Sequence, residues 1–280
     1  DGEGFWQRHL PSGAPAWLPR WRAEGGAEGG TEGRTEGGTA LVVDEPAALV
    51  WAANAGALEW HAATARTDAP DRPTYALVDI DPGERTSWED VLLLARLHRD
   101  AFAHLGVRAY PELTGRRGIQ VWVPVAVGPS FDETRAWVER LSRTVGQVVP
   151  ELLSWRWGVR ERGGLARLDY TQNAAHKTLV APYSPRPAPG LPVSAPITWE
   201  ELDEPWLRPD AVTVRTVGER LATRGDPFRG SSRRTRRSRR SCSCTECIVA
   251  PSVSVCARPG PTVAPPSRSG TAPPSSRRPP

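Results

Sequence analysis

The sequence predicts an α/β (α+β) domain in which helices pack against a sheet, and three observations lead there. Strand-like and helix-like segments alternate from about residue 74 to residue 182. Two helices open with explicit capping signals. One segment, residues 119–125, alternates apolar and polar side chains with the period of a strand. With 280 residues, 39% of them apolar, the chain is long enough to bury a sizeable core.

Taken in order, residues 74–81 (TYALVDID) read as a strand that stops at Pro82-Gly83. Ser87 then caps a helix with Glu89 and Asp90 in its first turn and Gly106 just past its end. A strand is expected near residues 107–112, followed by a turn at 114–118. In the next strand Ile119, Val121, Val123 and Val125 face one way, and Gln120 and Trp122 the other, as in a half-buried strand. Ser130-Phe131-Asp132-Glu133 is a capping box that opens a helix running to about Val149. Two further strands are expected at 165–170 and 177–182.

Charge divides the chain. The net of +4 combines +10 over residues 229–280, which hold 11 Arg and one acid, with −6 over the rest. The basic balance therefore belongs to the tail and does not argue for nucleic-acid binding by the globular part. Rich in Ser, Arg and Pro and without apolar periodicity, residues 229–280 are expected to be disordered. Their RRTRRSRR run could grip phosphate backbones, or simply be solvated. Residues 23–39 (AEGGAEGGTEGRTEGGT) form a four-residue repeat and read as a flexible loop. All four cysteines lie in the tail, where Cys244-x-x-Cys247 lacks a usual second ligand pair. No stretch of eighteen apolar residues suggests a membrane span, and no secretory-type leader opens the sequence. A cytoplasmic location is expected. The sequence holds no Met and opens on Asp1, so a natural start before it is expected too.

The sharpest chemical signal is Asp79-Ile80-Asp81. On a strand, residues i and i+2 project from one face, and two close carboxylates repel unless a cation lies between them. Hard divalent cations favour such oxygen donors, which points to phosphoryl or nucleotidyl transfer. A strand end running into an Asp-Pro-Gly turn explains the same residues without any metal. Asp169, a lone acid ending the apolar run at 165–170, makes a third carboxylate if its strand neighbours the first. Thr114-Gly115-Arg116-Arg117-Gly118 offers glycines for close backbone approach, a hydroxyl and guanidinium groups for phosphate oxygens, and equally fits a plain hairpin. His61 fits either a structural or a functional histidine.

Seven segments in this order resemble the polymerase domain of bacterial DNA ligase D, of the archaeo-eukaryotic primase superfamily. They are DGEGFWQRHLPSGAPAW (1–17), ALEWH (57–61), DIDPG (79–83), TGRRGIQVWVPV (114–125), LDYTQN (168–173), APYSPR (181–186) and ITWEEL (197–202). The resemblance covers residues 1–228 and implies the primase-polymerase fold, with a mixed, largely antiparallel central sheet. It implies that Asp79, Asp81 and Asp169 are catalytic metal ligands for two divalent ions, Mn²⁺ or Mg²⁺. His61, Thr114, Arg117, Gly118 and Arg186 match positions that hold a nucleoside triphosphate. Phe5 and Trp6 match an aromatic pair near the incoming or templating base, and Gln172 and Arg162 match polar positions around the active site. The implied activity is addition of ribonucleotides or deoxynucleotides to DNA ends in non-homologous end joining. The implied partners are a DNA primer–template, nucleoside triphosphates, a Ku-type end-binding protein and a separate ligase, in a nucleoid-associated setting.

The chain also departs from the family. Arg116, Arg117 and Gln120 stand where the family has Ser, Lys and His, and Leu165 replaces a basic residue. The segment that precedes Asp-Gly-Glu-Gly-Phe in the family, with its DNA-facing basic residues, lies outside the sequence. Together these departures predict weak extension. They also favour a rival in which the module binds DNA ends without extending them; a second rival makes the basic tail the nucleic-acid binder.

Overall fold

The structure is a computed structural model that describes residues 6–22, 39–175 and 177–230. The expected flexible loop at 23–39, except for Thr39, lies outside the described residues, as do Phe5 and the expected tail beyond Gly230.

A two-stranded ribbon, β1 (Arg20–Arg22) with β2 (Thr39–Leu41), precedes helix α1 (Pro46–Asn54). Strands β3 (His61–Ala63), β4 (Ala65–Arg66) and β5 (Ala69–Pro73) then lead into β6 (Tyr75–Asp81). Helix α2 (Trp88–Leu105) follows, then β7 (Tyr110–Leu113), β8 (Ile119–Pro124) and helix α3 (Phe131–Gly146). The last elements are β9 (Arg167–Asp169), β10 (Thr178–Val180), β11 (Ala195–Pro196) and helix α4 (Val217–Arg224).

The central sheet has five strands in the order β11-β7-β8-β6-β9, and every pairing in it is antiparallel. The sheet expected to be mixed and largely antiparallel is antiparallel in all five strands; among the described residues the parallel pairing is an isolated bridge between Leu153 and Ala166. Two short pairs, β3 with β10 and β4 with β5, stand apart from it. The strand expected at 177–182 is therefore β10, shorter and outside the central sheet.

Alternation along β6 gives the sheet two different faces. Ala76, Val78 and Ile80 join Ile119, Val121, Val123 and Leu168 in the main core, with Leu94, Ala95 and Phe102 of α2 and Val138, Leu141 and Val145 of α3. Both helices begin as expected. Ser87 and Asp90 cap α2 reciprocally, Ser130 and Glu133 do so for α3, and Gly106 ends α2 in the left-handed conformation at φ 64°. Helix α3 ends at Gly146, three residues earlier than expected, and Pro150 opens a short 3₁₀ turn shortly after. Within α2, His98 is wholly buried, with Nδ1 2.8 Å from the Leu94 carbonyl, and burial lowers its pKa to about 4. It is a neutral core residue.

The opposite face carries Tyr75, Leu77, Asp79 and Asp81. Its first half is apolar: Leu77 and Trp122 pack with Leu179 of β10, flanked by Tyr75, Tyr110 and Phe228. That second layer corrects the expected half-buried strand, since every residue of β8 is buried. The other half of this face is polar, and there the site is built.

Gly83 fixes the end of β6. The Arg85 amide donates to the Gly164 carbonyl at 2.9 Å, and a Cβ on Gly83 would sit 2.2 Å from that same oxygen. Gly83→Ala is expected to cost at least the roughly 1–3 kcal/mol of overpacking, because backbone must move. A lowered midpoint in thermal unfolding checks it; an unchanged midpoint shows that the two turns can part freely.

Candidate active site

The sheet register sets four polar residues in one row across four strands. Glu112 of β7 faces Gln120 of β8, Gln120 faces Asp79 of β6, and Asp79 faces Asp169 of β9. Residues directly opposite in an antiparallel pair have Cβ atoms about 4.5–5.5 Å apart, so Asp79 and Asp169 are immediate neighbours. Asp81 lies on the same face as Asp79, and Ile80, fully buried, points the other way.

The three carboxylates differ in their compensation. Asp169 accepts from the Thr171 amide (2.9 Å) and hydroxyl (2.6 Å) and from Gln172 Nε2 (3.1 Å), with an Arg167 nitrogen at 3.4 Å. Asp81 is paired with Arg162 at 3.0 Å. Asp79 has a single long hydrogen bond, from Gln120 Nε2 at 3.3 Å. Burial, then the charges of Asp169 and Asp81, push its carboxyl up to about 7, against the pull of Gln120 and Arg186. Among the described residues, no three His, Cys, Asp or Glu side chains are already arranged to hold a metal ion. The donor set nonetheless fits a hard divalent cation: three carboxylates on one face, the central one short of positive partners. Arg162 engages one oxygen of Asp81 and Arg167 lies near one oxygen of Asp169.

A cleft of about 350 Å³ opens over this row. It is lined by His61, Asp79, Asp81, Thr114, Arg117, Gly118, Gln172 and Arg186, with Arg116 and Gln120 also on its wall. Thr114 holds the turn shut, its Oγ1 donating to the Gly118 carbonyl at 3.1 Å and accepting from the Gly118 amide at 3.2 Å. Gly115, at φ 68°, lets the turn lie against Arg186, whose Cγ would be 2.8 Å from a Cβ there. A loop and an arginine some seventy positions apart in sequence are thereby brought to one cleft.

The other expected residues sit around it. Arg162 is outside the lining and holds Asp81; Asp169 is behind the lining, beside Asp79. Trp6 is 67% exposed and leans on the His61 ring, with centroids 4.7 Å apart. Its expected partner Phe5 lies outside the described residues.

Several contributors escaped the sequence reading. Glu59, two residues before His61, contacts His61, Arg116 and Arg186. Arg167 lies beside Asp169 and under the Trp157 ring, 4.3 Å from its centroid, so basic character absent at Leu165 is supplied two residues later. Glu112 is fully buried; Ser194 Oγ donates to its Oε1 at 2.5 Å, and burial pushes its carboxyl up to about 8. The i, i+2 spacing of Glu59 with His61, and of Arg167 with Asp169, is the signal that could have found two of them.

Glu112 makes a pH prediction. The folded chain keeps a proton there that the unfolded chain releases near its ordinary value of 4.5. Stability from this group is greatest below that pH and is lost as pH rises from about 4.5 to about 8. Glu112→Gln keeps an acceptor for Ser194 and should remove that fall. Melting temperatures from pH 5 to 9 check it: the variant gains steadily on the parent up to about pH 8, whereas parallel curves contradict the assignment.

With this geometry in place, comparisons with known proteins are informative. The family model described as LigD, primase-polymerase domain, matches residues 1–228. The Bacillus subtilis bifunctional non-homologous end joining protein LigD is 30% identical over 189 residues, covering 67% of this chain and 31% of that protein. The Mycobacterium tuberculosis multifunctional non-homologous end joining DNA repair protein LigD is 31% identical over 193 residues, 66% of this chain and 25% of that protein. The chain thus spans less than a third of the length of these relatives. Among solved structures, the polymerase domain from Mycobacterium tuberculosis ligase D in complex with DNA aligns at a TM-score of 0.70 and 29% identity. That alignment covers 80% of this chain and 77% of the other. No helix among the described residues is long and apolar enough to cross a membrane.

Proposed function

We propose that this chain, which belongs to the LigD primase-polymerase family, is a template-directed nucleotidyltransferase that adds nucleotides to DNA ends during non-homologous end joining. One observation carries the reading: Asp79, with Asp169 paired beside it, faces the same cleft as His61 and the guanidinium groups of Arg116, Arg117 and Arg186.

The residues divide the work by charge. Thr114, Arg117 and Arg186 would hold the triphosphate of the incoming nucleotide, with the Gly118 backbone beside it and His61 at the rim. Among the described residues Arg117 forms no ion pair, so its guanidinium is available to an incoming anion. Gln120 orients Asp79, and Gln172 orients Asp169. Arg162 and Arg167 lie against the flanking carboxylates and would balance part of their charge. Asp79, Asp81 and Asp169 would hold two divalent ions, Mn²⁺ or Mg²⁺, which when bound neutralise charge on the reacting phosphates and acidify a primer 3′-hydroxyl. In the reaction the 3′ oxygen bonds to the α-phosphorus, its proton leaves to solvent, and the bond to the bridging oxygen breaks to release pyrophosphate. Trp6, beside His61, offers a ring for the base.

By this reading the partners are a DNA primer–template and nucleoside triphosphates, with a Ku-type end-binding protein and a separate ligase at the bacterial nucleoid. The experiment is primer extension with Mn²⁺ or Mg²⁺ and either ribonucleotides or deoxynucleotides, run beside a DNA-binding assay. Extension supports the enzyme. DNA binding without extension supports the rival end-binding module, which one observation favours: Asp81 and Asp169 are already engaged by arginines.

A further inference from the structure

We propose that Glu59 is the resident counter-anion of the triphosphate cluster, and that a nucleoside triphosphate enters by displacing its carboxylate from His61, Arg116 and Arg186. The inference rests on the triphosphate reading of the cleft and names the residue that sets how tightly the cleft takes its ligand.

The contacts are specific. Glu59 Oε1 is 2.8 Å from His61 Nε2 and 3.3 Å from an Arg186 nitrogen, and Oε2 is 3.5 Å from an Arg116 nitrogen. The Glu59 side chain is 7% exposed and that of Arg186 is 9% exposed, so this part of the cluster is shielded from water. Local structure holds the acid there. The Trp60 amide donates to Ser184 Oγ at 2.7 Å, and the Trp60 carbonyl accepts from the Ala181 amide at 2.9 Å. Trp60 is thereby pinned to the chain that carries Arg186, and the 2.8 Å contact between Glu59 and His61 sets both side chains on one side of it.

A carboxylate and a phosphate oxygen seek the same donors. His61, Arg116 and Arg186 all line the cleft that the triphosphate would occupy, and each has already given a hydrogen to Glu59 or stands next to it. Glu59 itself lies behind that lining, so an incoming anion competes with it for the same donors. When pyrophosphate leaves, the carboxylate can return to the same donors, which weakens the hold on product as well as on substrate. Arg117, outside the clasp, is placed to make first contact.

The test measures equilibrium binding of ATP with Mg²⁺, and of inorganic tripolyphosphate, to the full chain. Glu59→Gln should tighten both by roughly tenfold or more, the scale of one charge-assisted contact relinquished. The gain should shrink when the same change is made in an Arg186→Ala background. If Glu59→Gln does not fold, Glu59→Asp, which keeps the charge but shortens its reach, should give a smaller gain of the same sign. Unchanged or weaker binding in a folded variant, with the parent binding ATP, overturns the counter-anion role and leaves the triphosphate reading standing. If neither parent nor variant binds ATP or tripolyphosphate, the triphosphate reading falls and this inference with it.

Discussion

Asp79→Asn is expected to lower primer extension by roughly 10³-fold or more if, as proposed, Asp79 is the central donor to catalytic metal charge. DNA affinity should stay within about twofold, since a shielded carboxylate makes little of the phosphate-dependent binding. Stability gives a separate readout that distinguishes this from misfolding. The folded chain holds the Asp79 proton up to about 7, so ionisation above that pH is paid in a buried site beside Asp169 and Asp81. The neutral amide avoids that cost and keeps contact with Gln120. The variant should therefore melt at an equal or higher temperature at pH 8, while activity is gone. Adding Mn²⁺ should stabilise the parent and leave the variant nearly unmoved. A destabilised Asp79→Asn, or one that still extends primers, contradicts the assignment of Asp79.

Arg186→Ala weakens nucleoside triphosphate binding by about 1.5–3 kcal/mol, or roughly 10- to 100-fold. Arg186 is largely buried against the Thr114–Gly118 turn, and its Nε has no partner among the described residues. Burial, with the neighbouring Arg116 charge, holds its guanidinium below the ordinary arginine value against the opposing pull of Glu59, Glu112 and Asp79. Loss should appear mainly as a raised KM for nucleotide, with primer affinity unaffected. Arg186→Lys should recover only part of the loss, because a point charge replaces a two-nitrogen fork. Equal nucleotide affinity in parent and Arg186→Ala would place the triphosphate elsewhere.

Local signals made much of the fold legible. Ser87 with Asp90 and Ser130 with Glu133 announced the two helices, and the Asp-Pro-Gly turn announced the end of β6. What local signals do not carry is pairing. The two-sided burial of β8 depends on Leu179 and Phe228 arriving from the far end of the chain, so its alternation read as half-buried. The adjacency of Asp79 and Asp169 depends on β9 pairing beside β6, and only the resemblance supplied it in advance. The resemblance also named His61, Arg117 and Arg186, yet it was silent on Glu59, whose role appears only when Arg186 is folded back across more than a hundred residues. Gln120 reads as a loss in sequence; in the structure it donates to Asp79, which of the three site carboxylates has no other side-chain partner among the described residues.

By the proposed function this cleft transfers a nucleotide under the direction of a template. The direct measurement is single-nucleotide incorporation by the full chain in Mn²⁺, on four primer–templates that differ only in the templating base, with all four ribonucleotides offered singly. The account predicts extension by the complementary nucleotide on each template, abolished in Asp79→Asn. Bound DNA without incorporation on any template, or incorporation indifferent to the templating base, would contradict it.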